Sequence, residues 1–170
     1  MMRISRYLPA LAIVLAAATA PALATDDAQT FVNKAAVGGM FEVESSELAL
    51  KMSRDADVRK FADTMISDHG KANSELETLA REEGLTAPAK LDGEHAAMLK
   101  SLRESGRLFD APYIKAQLDG HQKTVEMFEQ YAESGENKAL QNFAVETLPT
   151  LRMHLESVEQ MGDRVGAIKQ

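Results

Sequence analysis

The chain has 170 residues, with 26 acidic and 19 basic side chains, four histidines and no cysteine. Without cysteine there are neither disulfides nor thiolate metal sites, and the acidic balance argues against nucleic acid or an anionic membrane surface as partner, since both recruit clustered Lys and Arg. Any bound metal would have to use His, Glu, Asp or Met.

Residues 1–24 read as a cleaved secretory signal peptide. Arg3 and Arg6 form its basic region, residues 8–18 its apolar run, and Ala22-Leu23-Ala24 supplies small residues at positions −3 and −1. The apolar run falls short of the roughly 20 residues that span a bilayer. The mature product, 170 less 24 or 146 residues, is therefore expected to be a soluble periplasmic protein of one domain, residues 25–170. Loss of Arg3 and Arg6 leaves 17 basic against 26 acidic side chains, a formal charge of −9.

The rest reads as all-α, because strand-like alternation is missing and the polar positions hold Glu, Lys, Gln, Arg and Ala, which favour helix. Helix 1 is expected from about Asp27 to Met52 and helix 2 from about Ala56 to Glu83, with Gly84 as its C-terminal cap and Pro88 beyond. A shorter helix covers about Asp92 to Glu104. Asp110 is placed as the cap of the next helix, with Pro112 in its first turn and its end near Glu133. The last helix runs from about Asn137 to Arg164 through Pro149, which predicts a kink or local bulge. Two helical hairpins joined by a long connection with a short helix describe a four-helix bundle of the ferritin-like kind; an up-down bundle decorated by a fifth helix competes with it. A faint repeat agrees with paired hairpins, since adding 82 takes Val43, Glu44, Glu47, Phe61 and Ala62 to Val125, Glu126, Glu129, Phe143 and Ala144.

Three helical seams carry a histidine at a core position. One runs Val58, Ala62, Met65, His69, Ala72, Leu76; a second Ile114, Leu118, His121, Val125, Phe128; a third Leu140, Ala144, Thr147, Leu151, His154, Val158. An imidazole so placed needs a hydrogen-bond partner, a metal or water, because an unsatisfied buried polar group costs roughly 1–3 kcal/mol. On helix 1, spacing at 100° per residue puts Glu44 and Glu47 inside the apolar arc and Glu42 on the solvated side. Counting from the turns places all five groups within about two helical turns of the bundle's midplane.

The segments Phe31–Glu44, Phe61–Leu76, Phe109–Tyr113 with His121, and Thr147–Leu155 resemble the bacterial domain-of-unknown-function 4142 family over nearly the whole mature chain. That resemblance implies a ferritin-like bundle of the bacterial envelope with no established activity. The outer-membrane label often attached to the family suits no feature here, since a spanning barrel would need many alternating strands. Ferritin-like di-iron proteins pair each of two histidines with a Glu three residues earlier. Here Ile66 precedes His69 and Leu151 precedes His154 at that spacing, Glu126 points outward and Glu129 lies at an edge. A two-iron site is disfavoured, and a single Zn, Cu, Mn or Fe ion suits the donors better.

Two readings follow. The first is a non-enzymatic periplasmic bundle whose histidines form a polar core network with Glu44, Glu47, Asn73, Gln117 and Thr147, and which meets an envelope partner or a second copy of itself. The second is a metal-binding bundle, for sequestration or redox work, with Glu44, Glu47, His69, His121 and His154 as the ligand candidates. No catalytic triad, cysteine nucleophile or phosphate loop can be singled out. Gly38-Gly39 reads as close helix packing, Met40, Met65, Met127 and Met161 as core filling, and His95 as a surface or lid residue.

Overall fold

The computed structural model describes residues 27–165, so the signal-peptide segment 1–24 lies outside the described residues. Five α-helices form: α1 Ala28–Met52, α2 Ala56–Glu82, α3 Gly93–Glu104, α4 Asp110–Ser134 and α5 Lys138–Val165, with a 3₁₀ turn at Gly106–Leu108 before α4. Four have a side chain at the start that satisfies otherwise orphaned backbone N–H groups. Asp27 accepts from Thr30 N at 2.7 Å, Asp55 from Asp57 N and Val58 N at 2.8 and 3.1 Å, Asp92 from His95 N at 2.9 Å, and Asn137 from Leu140 N at 3.0 Å. Gly84, at φ 71°, adopts the left-handed conformation that ends α2.

One local expectation changes. Asp110 does not cap α4; Phe109, itself helical at φ −56° and ψ −42°, precedes it, because the 3₁₀ turn feeds directly into the helix. Helix α5 runs on through Pro149. Pro149 and Val145 both lie on the exposed face, where water can satisfy the carbonyl that proline leaves without a partner.

Cross-helix contacts fix the topology. Phe31, early in α1, stacks on Tyr131, late in α4, at 4.0 Å between ring centroids, and Ser46 meets Tyr113 at 2.9 Å, so α1 and α4 are antiparallel. Arg164 pairs with Asp57 at 2.8 Å and Asn137 donates to Glu83 at 2.7 Å, so α2 and α5 are antiparallel as well. Phe61 and Tyr113, each near its helix's start, lie 6.4 Å apart, which makes α2 and α4 parallel. Residues 83–109 must therefore carry the chain back along the bundle. That single long crossover excludes the up-down arrangement. The antiparallel pairs also send Phe61 and Phe143, two members of the sequence repeat, to opposite ends of the bundle.

Packing divides the core into two apolar clusters. One gathers Phe31, Val32, Leu76, Phe128, Tyr131, Leu140 and Phe143, and the other Phe41, Met65, Phe61, Leu102, Phe109, Ile114 and Val158. Between them the four long helices contribute a buried polar layer: Glu42, Ser45, Ser46, His69, Gln117, His121 and His154. Among the described residues, no helix is long and apolar enough to cross a membrane.

Candidate metal centre

The inner stripes of α2, α4 and α5 deliver His69, His121 and His154 to one level, all buried. Their ring centroids lie 5.4–5.6 Å apart, and one potential ligand atom from each falls within 4.8 Å of the others. Three points no farther apart than that share a position within about 2.8 Å of each, and an ion held at about 2.0–2.1 Å would need each ring to close by under about 1 Å.

Outer contacts orient two of the rings. His121 Nδ1 lies 2.9 Å from the carbonyl oxygen of Gln117, an acceptor only, so Nδ1 carries the proton and Nε2 the lone pair. His154 Nε2 donates to Asp68 Oδ2 at 3.0 Å, which leaves Nδ1 as its lone-pair nitrogen. Those two atoms, His121 Nε2 and His154 Nδ1, have no protein partner, and neither does Nε2 of His69. A carboxylate or carbonyl behind the ring, with the opposite nitrogen free, is how proteins orient metal-binding imidazoles. Burial also keeps the rings neutral, the state that binds metal. Desolvation pushes His69 well below 6.5, with His121 and His154 adding to the effect, and brings His121 down to about 4 against the pull of its Gln117 bond. His154 is lowered by burial, with Asp68 pulling the other way.

The carboxylate at this layer is not the expected one. Glu44 and Glu47 are exposed, whereas Glu42, expected in solvent, is 5 % exposed. The cause is that α1 is covered on two sides. Phe41 faces the crossover, with His95 of α3 at 5.5 Å between centroids, while the bundle interior sees small residues: Ala35, Gly39, Ser45, Ser46 and Ala49. Hydropathy weights the large side chains and so swings the apparent arc away from the bundle axis. Glu42 Oε1 stands 3.8 Å from His121 Nδ1, and its Oε2 has no protein partner. Desolvation raises its carboxyl to about 8, with Gln117 partly offsetting, so the group keeps its proton at neutral pH. Gln117 also donates to Ser45 Oγ at 3.0 Å, tying α4 to α1.

Beside the triad lies a cavity of about 20 Å³ whose walls include Gly39, Glu42, His69, Asn73, His121 and Thr147, room for about one water. Gly39 leaves room for Asn73, since a Cβ there would come 2.0 Å from Asn73 Oδ1 and oblige that side chain to shift. Asp68, beside His69 on the flank of the core face of α2, meets α5 by accepting the hydrogen bond from His154. His95 is held by Asp92 at 2.8 Å, away from the triad.

These features define a four-helix bundle with one long crossover and a buried three-histidine layer. The chain belongs to the family described as Domain of unknown function (DUF4142), whose profile matches residues 13–161. No curated protein matches it. Among solved structures it is similar to CopM in the Cu(II)-bound form, with TM-score 0.71 and 18% identity, over 83% of this chain and 99% of that one. CopM in the Cu(I)-bound form gives 0.70 and 16%, over 82% and 98%. A DUF305 fragment from Deinococcus radiodurans gives 0.68 and 16%, over 79% and 93%. At these identities the likeness is one of fold.

Proposed function

We propose that this protein binds one transition-metal ion, copper or zinc, in the bacterial periplasm through His69, His121 and His154, as a sequestering or carrying protein rather than an enzyme. The observation that carries this reading is the set of three unpartnered ring nitrogens gathered in one buried layer, two of them oriented from behind by Gln117 and Asp68. Neutral imidazoles without ionised carboxylates suit copper and zinc better than manganese or iron, which favour oxygen donors. The Cu-bound state named for the structural neighbour CopM is consistent with this choice. Binding rather than catalysis is favoured by the cavity: about 20 Å³ admits a fourth ligand the size of water, far below the roughly 300–1,000 Å³ of small-molecule sites. The secretory leader read in residues 1–24 supports the periplasm.

A metal-free polar core is the second reading, supported by Gln117, which links α1 and α4 without any ion. It leaves the three nitrogens and Glu42 Oε2 buried without protein partners, each at a cost of about 1–3 kcal/mol. Elemental analysis of untagged protein after incubation with Zn, Cu, Mn and Fe separates the two. One Cu or Zn per chain, lost in the His69→Ala/His121→Ala/His154→Ala triple variant, is expected. Sub-stoichiometric metal in the wild type, or undiminished metal in the triple variant, overturns the proposal.

A further inference from the structure

We infer that the ion reaches the histidines from the side, out of the groove between α1, α4 and the crossover, through a mouth closed by the side chain of Glu42. This rests on the metal-binding reading above and adds a path to it. The groove, about 1040 Å³, is roofed by residues 88–98 and lined by Phe41, His95, Met98 and Ala116, with the His95 ring packed edge-on against Phe41. The histidine cavity lies on the other side of a thin wall, because Gly38, Glu42 and Thr124 line both spaces.

The wall is thin because of sequence. Its two helices present Gly38 and Gly120 at this level, so few side-chain atoms besides those of Glu42 and Thr124 separate the groove from the triad. Glu42 fits closely into the space that Gly120 leaves: a Cβ on Gly120 would stand 2.9 Å from Glu42 Oε1. Its Oε2 has no protein partner, so rotation of this one side chain opens the mouth while disturbing few hydrogen bonds. The α2–α5 seam is a poorer path, since the Asp68–His154 hydrogen bond that orients a ligand lies within it. The groove's charge suits a cation: Asp92, Glu94, Asp119 and Glu126 stand on its walls against three lysines.

Gly38 offers a test that touches no ligand. A Cβ there meets nothing within 4 Å, and the same holds at Gly70, which lies on α2 and lines neither space. Gly38→Leu therefore places side-chain atoms in the mouth, and Gly70→Leu controls for replacing a helical glycine. Equilibrium affinity is measured for Zn(II) against a chromophoric chelator, and loading and release by stopped-flow absorbance with Co(II). Gly38→Leu should slow both loading and release by about ten-fold, leaving the ratio and so the affinity unchanged, while Gly70→Leu behaves as wild type. If Gly38→Leu does not fold, Thr124→Leu obstructs the same mouth from α4 with the same expected result. Wild-type rates in the obstructed variant overturn the path and leave the metal reading standing. If the wild type binds neither ion, loading and release are read with Cu(II) instead, and a wild type that binds none of the three overturns the metal reading, and the path with it.

Discussion

Replacing Glu42 by Gln should abolish an alkaline loss of stability in the metal-free protein. In the fold this carboxyl is raised from 4.5 to about 8, mainly by desolvation. The unfolded chain therefore releases its proton near pH 4.5 while the folded chain keeps it. Between those values the native state binds more protons than the unfolded one, so stability falls as pH rises, by about 1.4 kcal/mol per pH unit. From pH 6.5 to pH 8 the fall is about 2 kcal/mol, which for a chain of this size lowers Tm by roughly 4–8 °C. The histidines work in the opposite direction. Depressed in the fold, they remain neutral while the unfolded chain takes up protons, so stability is lost as pH falls below 6.5, toward about 4 for His121. The metal-free wild type should thus be most stable near pH 6.5. Glu42→Gln, nearly isosteric and neutral at every pH, should keep the acid limb and flatten the alkaline one. Thermal melts followed by far-UV circular dichroism with chelator present, from pH 5 to pH 9, measure both limbs. An unchanged alkaline slope in Glu42→Gln would show that this carboxyl titrates elsewhere and refute the reasoning.

Two further perturbations address the layer and its packing. Asp68→Ala removes the acceptor that orients His154 but none of the three ligands, and should weaken metal binding by about 10–100-fold, as losses behind a ligand commonly do; unchanged affinity in chelator competition would show that His154 needs no such support. Gly39→Ala should destabilise by about 1 kcal/mol, since its Cβ would displace Asn73, whereas Gly38→Ala, meeting nothing within 4 Å, should stabilise by about 0.5–1 kcal/mol through the lower backbone entropy of alanine. Denaturant midpoints giving the reverse order would contradict the placement of the two glycines.

How much of this was legible in sequence depended on how many faces each helix buries. Helices α2, α4 and α5 each bury one main stripe toward the bundle, so steps of three and four residues led directly to His69, His121 and His154. Helix ends were legible where a capping side chain marks them, as at Asp27, Asp55 and Asn137. Helix α1 defeated the same method because it buries two faces, one against the bundle and one beneath the crossover. The large apolar residues Phe41 and Leu48 belong to the second cluster with Leu99 and Leu102 of α3, and small residues hold the face toward the histidines. Only the crossover's position separates these faces, and that is a tertiary fact. The lone pair of His154 was equally hidden, since a partner on another helix sets its tautomer.

The layer's position explains how a small bundle tolerates it. Seven polar side chains within about one helical turn interrupt the apolar packing of all four long helices, and their desolvation is offset by the clusters above and below, which bury eleven Phe, Tyr and Leu side chains among the described residues at 4 % exposure or less. Because every long helix contributes to the layer, slipping any one by a turn would leave Glu42, Gln117 or a histidine facing Leu or Phe. The polar residues therefore select one register among the many that apolar stripes alone would accept. That same selection holds three imidazoles from separate helices at a common height. A cysteine-free chain thereby gathers three imidazole nitrogens at a buried site whose geometry is set by helix register and which no single segment of sequence displays.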